Sequence, residues 1–283
     1  MKSTIAVVQL DAAVGNIEAN LEKHIRFVKD AIARKADIVV FPELSLTGYS
    51  VKDLNWDLAI NVNNPKILRP LMALSKKITI IAGGVEEGAN FGIYNSAFVF
   101  ENGAVFSAHR KIYLPTYGMF EELRYFSPGN SVKSFPSKHG KLGILVCEDM
   151  WHLSLPYILA HDGAPVIIGM AASPARVAGS GEHFPGAAVN LEHHKTYARL
   201  LSTYVVFSNR VGIEDGVSFW GGSNVIAPSG EIVASAPLFE ESLITAVIDD
   251  NEVRRARRFS RHFVDDSPLF TTEQLQDALH RQR

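Results

Sequence analysis

Apolar residues along this chain follow two periods. Ile5-Ala-Val-Val8 lies within a predicted strand from Thr4 to Leu10, and Ala36 to Phe41 predicts a second strand, stopped by Pro42-Glu43. Both runs are short, continuous and rich in β-branched residues, the signature of strands covered on both faces. Between them Ile17, Leu21, Ile25, Val28 and Ile32 recur at helical spacing among charges, which predicts a helix from Asn16 to Arg34. A second helix is predicted from an Asn64 cap, with Pro65 in its first position, to about Lys77, followed by a strand from Thr79 to Ala82. Tyr94 to Phe100 and Ala104 to His109 predict a hairpin turning at Asn102-Gly103.

The second half repeats the alternation. Lys141 to Val146 reads as a buried strand that ends abruptly at Cys147, Glu148 and Asp149. A helix from Ser154 to His161, a strand from Pro165 to Met170, a helix from Ala187 to Ser202 and a strand from Tyr204 to Ser208 follow. Ser218 to Ile226 and Glu231 to Ala234 predict a hairpin around Pro228-Ser229-Gly230, and Leu243 to Ile248 a last strand. Helices alternating with buried strands in both halves predict an α/β fold of two packed sheets with helices outside. Residues 1–283 are expected to form a single domain, with about 250–283 as a C-terminal extension that could sit at a subunit interface.

Composition narrows the function classes. With 47% hydrophobic and 20% charged residues, the chain is ordinary for a globular protein. A net charge of −2 gives no basis for a nucleic-acid or anionic-membrane partner. A single cysteine excludes an intrachain disulfide framework and Cys-rich metal sites. The first ten residues are too poor in apolar character for a signal peptide, and no run approaches bilayer length, so the expected location is the cytoplasm. Arg254, Arg255, Arg257, Arg258 and Arg261, answered by Asp265 and Asp266, predict a solvated or subunit-facing helix.

Three reactive side chains stand at strand ends. Cys147 closes one apolar run, Glu43 follows Ile38-Val-Val-Phe-Pro42, and Lys111 follows the hairpin strand. Each has a plain reading alone: a small buried hydrophobe, a loop cap and a surface cation. Together a thiol, a carboxylate and an ammonium can perform acyl transfer at a carbon–nitrogen bond. The long aromatic loop from Pro115 to Gly129 exceeds a mere connection and is a candidate functional loop. Tyr49, Tyr117, Phe120, Trp151 and Trp220 are candidates for a pocket rim or for plain core, and Glu148 and Ser173 for substrate contacts. Adjacent His193 and His194 diverge by about a hundred degrees on a helix, and His183 lacks a completing cluster, so no metal is expected, and acyl transfer by these side chains gives an organic cofactor no role.

Phe41-Pro-Glu43-Leu, His109-Arg-Lys111-Ile-Tyr-Leu-Pro115 and Gly143-Ile-Leu-Val-Cys147-Glu-Asp resemble, in order and spacing, the three signature motifs of the nitrilase, or carbon–nitrogen hydrolase, superfamily. The resemblance spans Thr4 to Asp249 and implies a four-layer α-β-β-α sandwich with a catalytic Glu43, Lys111 and Cys147. A fourth member falls on Glu122, with Glu121 as its neighbour and alternative. Within the superfamily, Lys111 to Phe126, Cys147-Glu-Asp-Met-Trp151, Asn209-Arg-Val-Gly212 and Phe219-Trp-Gly-Gly222 are similar to the glutaminase domains of glutamine-dependent NAD synthetases. No Ser-Gly-Gly-x-Asp-Ser pyrophosphatase loop is present, so a free-standing enzyme is expected. Those glutaminases hold glutamine with an arginine six residues after a Ser-Pro serine. Here Ser173-Pro174 is followed at that position by Gly179, and Arg176 comes earlier.

The resemblance therefore implies an amidase acting on a small carboxamide through a cysteine thioester. A nitrile hydrolase, or a glutaminase subunit supplying ammonia to a separate synthetase, is the alternative. It also implies pairing of subunits, as a homodimer or larger, through the helices after Cys147 and near Ala187 to Ser202.

Overall fold

In the computed structural model, which describes residues 2–175 and 185–282, alternate residues of the central strands face opposite layers. Strand β1 (Lys2–Gln9) sends Ile5 and Val7 one way and Ala6 and Val8 the other. Ala6 and Val8 pack with Leu21, Phe27, Val28 and Ala31 of α1 (Ile17–Ala33). Ile5 and Val7 meet a second sheet, whose Leu142, Ile144, Val146, Ile168 and Val206 fill the same core. That second sheet turns Leu145, Ile167 and Val205 outward onto Leu155, Leu159, Tyr197, Ala198 and Leu201 of its own helices. Strands apolar on both faces thus force helix, sheet, sheet, helix: the four-layer α-β-β-α sandwich.

Besides β1, the first sheet holds β2 (Ile38–Val40), β3 (Ile60–Asn61), β4 (Thr79–Glu87), β5 (Ile93–Glu101) and β6 (Ala104–Arg110). The second holds β7 (Phe135–Ser137), β8 (Gly140–Val146), β9 (Val166–Ala171) and β10 (Tyr204–Asn209). Then β11 (Val211–Glu214) and β12 (Val217–Trp220) form a separate pair. Strands β13 (Asn224–Ile226) and β14 (Ile232–Ser235) return to the second sheet, and β15 (Ser242–Asp249) closes the first beside β1. Strands β1, β2 and β4 run parallel, as do β8, β9 and β10; β3 joins the end of β4 in parallel too, and the other pairings are antiparallel. In parallel α/β sheets the carboxyl ends of the strands are where sites form.

Among the helices, α1 is capped by the Asn16 side chain, which accepts from the Ala19 N–H at 3.0 Å. Then come α2 (Asn55–Leu58), α3 (Arg69–Leu74), α4 (Glu122–Tyr125), α5 (Ser154–His161), α6 (Pro185–Leu201), α7 (Asp250–Phe259) and α8 (Pro268–Arg281). The arginine-rich run forms α7, of which only Val253 is buried, and Arg261 pairs with Asp265 at 2.6 Å. The segment beyond folds back over α5: His161 meets Asp266 at 3.0 Å and Tyr157 lies 3.4 Å from Thr271.

Three sequence expectations are corrected. The helix placed at Asn64 to Lys77 is a 3-10 turn at Lys66–Leu68 leading into α3, which starts at Arg69. Pro70 is the reason: it lacks an N–H, so it fits the first turn of an α-helix and not the interior. The strand placed from Ser218 to Ile226 is divided, because Gly221 and Gly222 take positive φ of 71° and 61° and turn the chain. Its two parts pair with β11 and β14 respectively. The loop from Pro115 to Gly129 contains α4, a single turn.

Candidate active site

The three motif residues leave their strands at one end of the sandwich. Glu43 lies just beyond β2, in a loop pressed so closely on β4 that a Cβ at Gly83 would come within 2.4 Å of the Leu44 nitrogen. Only glycine fits there. Lys111 follows β6, and its N–H donates to the Asn95 carbonyl at 2.8 Å, which extends the pairing with β5. Cys147 follows β8 and opens the 3-10 turn Cys147–Trp151 with φ of 48°, a left-handed conformation unusual for a side chain with a Cβ. Glu122 opens α4, and its N–H donates to the Pro115 carbonyl at 3.1 Å.

Lys111 joins the two glutamates. Its Nζ donates to Glu43 Oε1 and to Glu122 Oε1, each at 2.8 Å, with the three residues buried at 1%, 1% and 5% exposure. Asn95 Nδ2 donates to Glu43 Oε1 at 2.7 Å, and the Ala172 N–H to Glu43 Oε2 at 2.8 Å. The Tyr49 hydroxyl donates to Glu122 Oε1 at 2.6 Å. Burial alone would lower the Lys111 ammonium, but the charges of Glu122 and Glu43 outweigh it and hold it well above its ordinary range. An unpaired ammonium at this depth would cost several kcal/mol, so the two carboxylates are what keep it charged.

Burial pushes the Glu122 carboxyl up to about 7, although Lys111 pulls it down. Burial also raises the Cys147 thiol well above its ordinary range; Glu43 adds to this, while Lys111 and a hydrogen bond from the Ala172 backbone oppose it. Cys147 itself is half-buried, packed beside Ala171, Phe207 and Trp220. A neutral thiol with a carboxylate and an ammonium, at the start of a turn, suits acyl transfer, provided the carboxylate takes the proton.

The other sequence candidates divide. Tyr49 reaches Glu122 with its hydroxyl, as above. Tyr117 donates to Glu148 Oε2 at 2.9 Å, and Phe120 links the two tyrosines at ring distances of 5.7 and 6.4 Å. Trp151 is 49% exposed and meets His193 edge-on. Trp220 is 2% exposed and packs on Phe207, so it belongs to the core and not to a rim; its indole is too large and apolar to leave that layer. The Ser173 N–H donates to Asn209 Oδ1 at 2.9 Å, beside the end of β9. Glu121 is exposed and Glu122 buried, so the helical turn brings only Glu122 to Lys111. Buried His194 bonds Asn224, and burial lowers it to about 3; among the described residues no three His, Cys, Asp or Glu are grouped to hold a metal. Arg176, Gly179 and His183 lie outside the described residues.

Several supporting groups were not singled out from sequence: Asn95, the Ala172 N–H and Glu214. Glu214 pairs with Arg210 in the interior and accepts the Tyr49 N–H at 3.0 Å, which pins the loop after Glu43. The available signal was a polar residue inside an apolar strand, as Asn95 is in β5.

The carbon–nitrogen hydrolase family profile matches residues 4–258. The chain is 32% identical over 273 residues to a glutamine-dependent NAD(+) synthetase of Acinetobacter baylyi, covering 96% of this chain and 48% of that protein. It is also 32% identical over 252 residues to the Thermotoga maritima synthetase of the same name, covering 88% and 42%. It thus spans about half the length of the curated relatives it matches. Among solved structures, a carbon–nitrogen hydrolase from Helicobacter pylori superposes with a TM-score of 0.87 at 26% identity, covering 97% of this chain and 99% of that one. The glutamine-dependent NAD+ synthetase of Acinetobacter baumannii does so with 0.80 at 31%, covering 89% and 47%. No described helix is long and apolar enough to cross a membrane. Fold, motif residues and sequence agreement over this length place the chain in the carbon–nitrogen hydrolase family of the nitrilase superfamily.

Proposed function

We propose that this chain is an amidase that hydrolyses the C–N bond of a small carboxamide through a thioester on Cys147. The observation that carries the reading is Lys111 held between Glu43 and Glu122 at 2.8 Å beside the strained turn of Cys147. Glu43 takes the thiol proton as the sulfur attacks the amide carbon. Lys111 and the backbone N–H after Cys147 bear the developing oxyanion. Glu43 passes its proton to the departing nitrogen, so ammonia leaves and the thioester remains. It then takes a proton from water, which attacks the thioester and releases the carboxylic acid and the thiol. Because burial keeps the thiol protonated at rest, the base must act during attack and no standing thiolate is needed. Glu122 holds Lys111, while Tyr49, Tyr117, Glu148, Trp151 and Ser173 border the substrate.

A second reading, a glutaminase that supplies ammonia to a synthetase, is favoured by the relatives named above. A nitrile in place of the amide would use the same residues. The deciding experiment is intact-mass analysis after exposure to a mixed amide and nitrile library. An acyl adduct on Cys147 from an amide supports the amidase reading. Adducts from nitriles alone, or turnover with no adduct in rapid-quench samples, overturn it.

A further inference from the structure

Asp149, two residues beyond Cys147, is 0% exposed, and its carboxylate accepts four hydrogen bonds. Oδ1 takes the N–H groups of Ile112 and Tyr113, each at 3.0 Å. Oδ2 takes the Val146 N–H at 3.1 Å and His109 Nε2 at 3.1 Å. Ile112 and Tyr113 directly follow Lys111, and Val146 directly precedes Cys147. One carboxylate therefore clamps the backbone beside the ammonium to the backbone beside the sulfur. The two segments belong to different sheets, β6 to the first and β8 to the second. His109 is the one side chain among the described residues that completes the clamp, and it stands on β6 two residues before Lys111.

We infer that His109 is a positioning residue: through Asp149 it holds the Lys111 strand and the Cys147 turn at a fixed separation across the sheet interface. The inference rests on the reading of Cys147 and Lys111 as the reacting pair. Four directional hydrogen bonds converging on one buried carboxylate leave it little freedom. With three backbone donors left, Asp149 stays bonded and the fold stands, but the tie from β6 itself is lost. A displacement of about 1 Å at a reacting group costs on the order of 100-fold in rate. The site's charges give a second readout. Glu43, Lys111 and Glu122 all act on the Cys147 thiol, and Lys111 is the one that lowers it. If Lys111 drifts away, the thiol should titrate higher.

The test compares His109→Gln with His109→Leu, which are close in volume but differ in the amide N–H that can replace Nε2–H. The rate of Cys147 alkylation by iodoacetamide is followed against pH, with kcat and KM for the best amide of the library. The Leu variant should move the alkylation midpoint upward by about half a pH unit or more, equivalent to about threefold slower reaction at fixed pH. It should also lower kcat by about 10-fold or more with little change in KM. The Gln variant should lie near wild type in both. His109→Ala adds a third arm, because the side chain borders a cavity of about 310 Å³ that free imidazole can enter, and added imidazole should restore the midpoint. Equal midpoints for Gln and Leu, or a Leu variant indistinguishable from wild type, would overturn the inference. Undiminished turnover by Cys147→Ser would instead overturn the underlying function, and the alkylation midpoints would still decide the role of His109.

Discussion

Lys111 donates to Oε1 of Glu122 at 2.8 Å, yet Oε2 of the same carboxylate is buried and meets no partner among the described residues. Burial of that carboxyl, with the neighbouring charge of Glu43, outweighs the pull of Lys111 and lifts it from 4.5 to about 7. The folded state then binds more protons than the unfolded state across that window. The stability Glu122 contributes is fully present below pH 4.5 and is lost as pH rises through about 7.

Glu122→Gln cannot titrate. Its stability relative to wild type should therefore rise between pH 4.5 and about 7, by as much as about 3 kcal/mol at roughly 1.4 kcal/mol per pH unit. Urea unfolding of both proteins across this range measures it. Parallel stability–pH curves would show that Glu122 does not carry the shift.

Cys147→Ser should leave the fold intact and abolish turnover. A serine hydroxyl is far harder to deprotonate than a thiol, and Glu43 is too weak a base to make up the difference. Since loss of a nucleophile commonly costs several orders of magnitude, a variant keeping more than about a tenth of the wild-type rate would remove Cys147 from the chemistry.

Small primary amides, with a carboxylate or other polar group at the far end, should be better substrates than free glutamine. In the sequence, Gly179 is the sixth residue after Ser173, the position at which the resemblance to glutaminases of this superfamily implies an arginine for the α-carboxylate. Loss of such a charge-assisted contact costs about 2–5 kcal/mol, or roughly 30-fold to several thousand-fold. Ammonia release is compared for glutamine, aliphatic amides and ω-amides lacking the α-amino group. Glutamine giving the highest kcat/KM, with selective loss in Arg176→Ala, would make the chain a glutaminase.

A homodimer formed through α5 and α6 should sediment at twice 31.1 kDa. Ile158 and Leu200 are exposed on these helices, and with Leu153 just before α5 and Leu275 of α8 they line a groove of about 890 Å³. Exposed apolar surface of this kind marks interaction sites. A fully active species of 31.1 kDa at micromolar concentration would refute the pairing.

The layering is legible in the sequence, because it depends on composition at each strand position. Ile5-Ala-Val-Val8 and Ile38-Val-Val40 are apolar on both faces, and such strands can only be covered on both sides. Strand ends are equally legible, and Glu43, Lys111 and Cys147 each stand at one. Element ends were less so where one residue overruled the period, as Pro70 did for α3 and Gly221-Gly222 did after β12.

Contacts between distant segments were a different matter. Hydrophobic period reports which face a residue takes, and it carries no information about which remote polar group will meet it there. That Tyr49 lies on Glu122, 73 residues away, follows from the loop after β2 crossing to α4. That Ala172 supplies an N–H to Glu43, 129 residues away, follows from the end of β9 facing the end of β2 across the sheet interface. Asp149 reads as an ordinary charge after a strand, and only the packing of the two sheets turns it into the bond between the lysine strand and the cysteine turn. A buried polar group must find a partner, but which partner is settled by the path of the whole backbone.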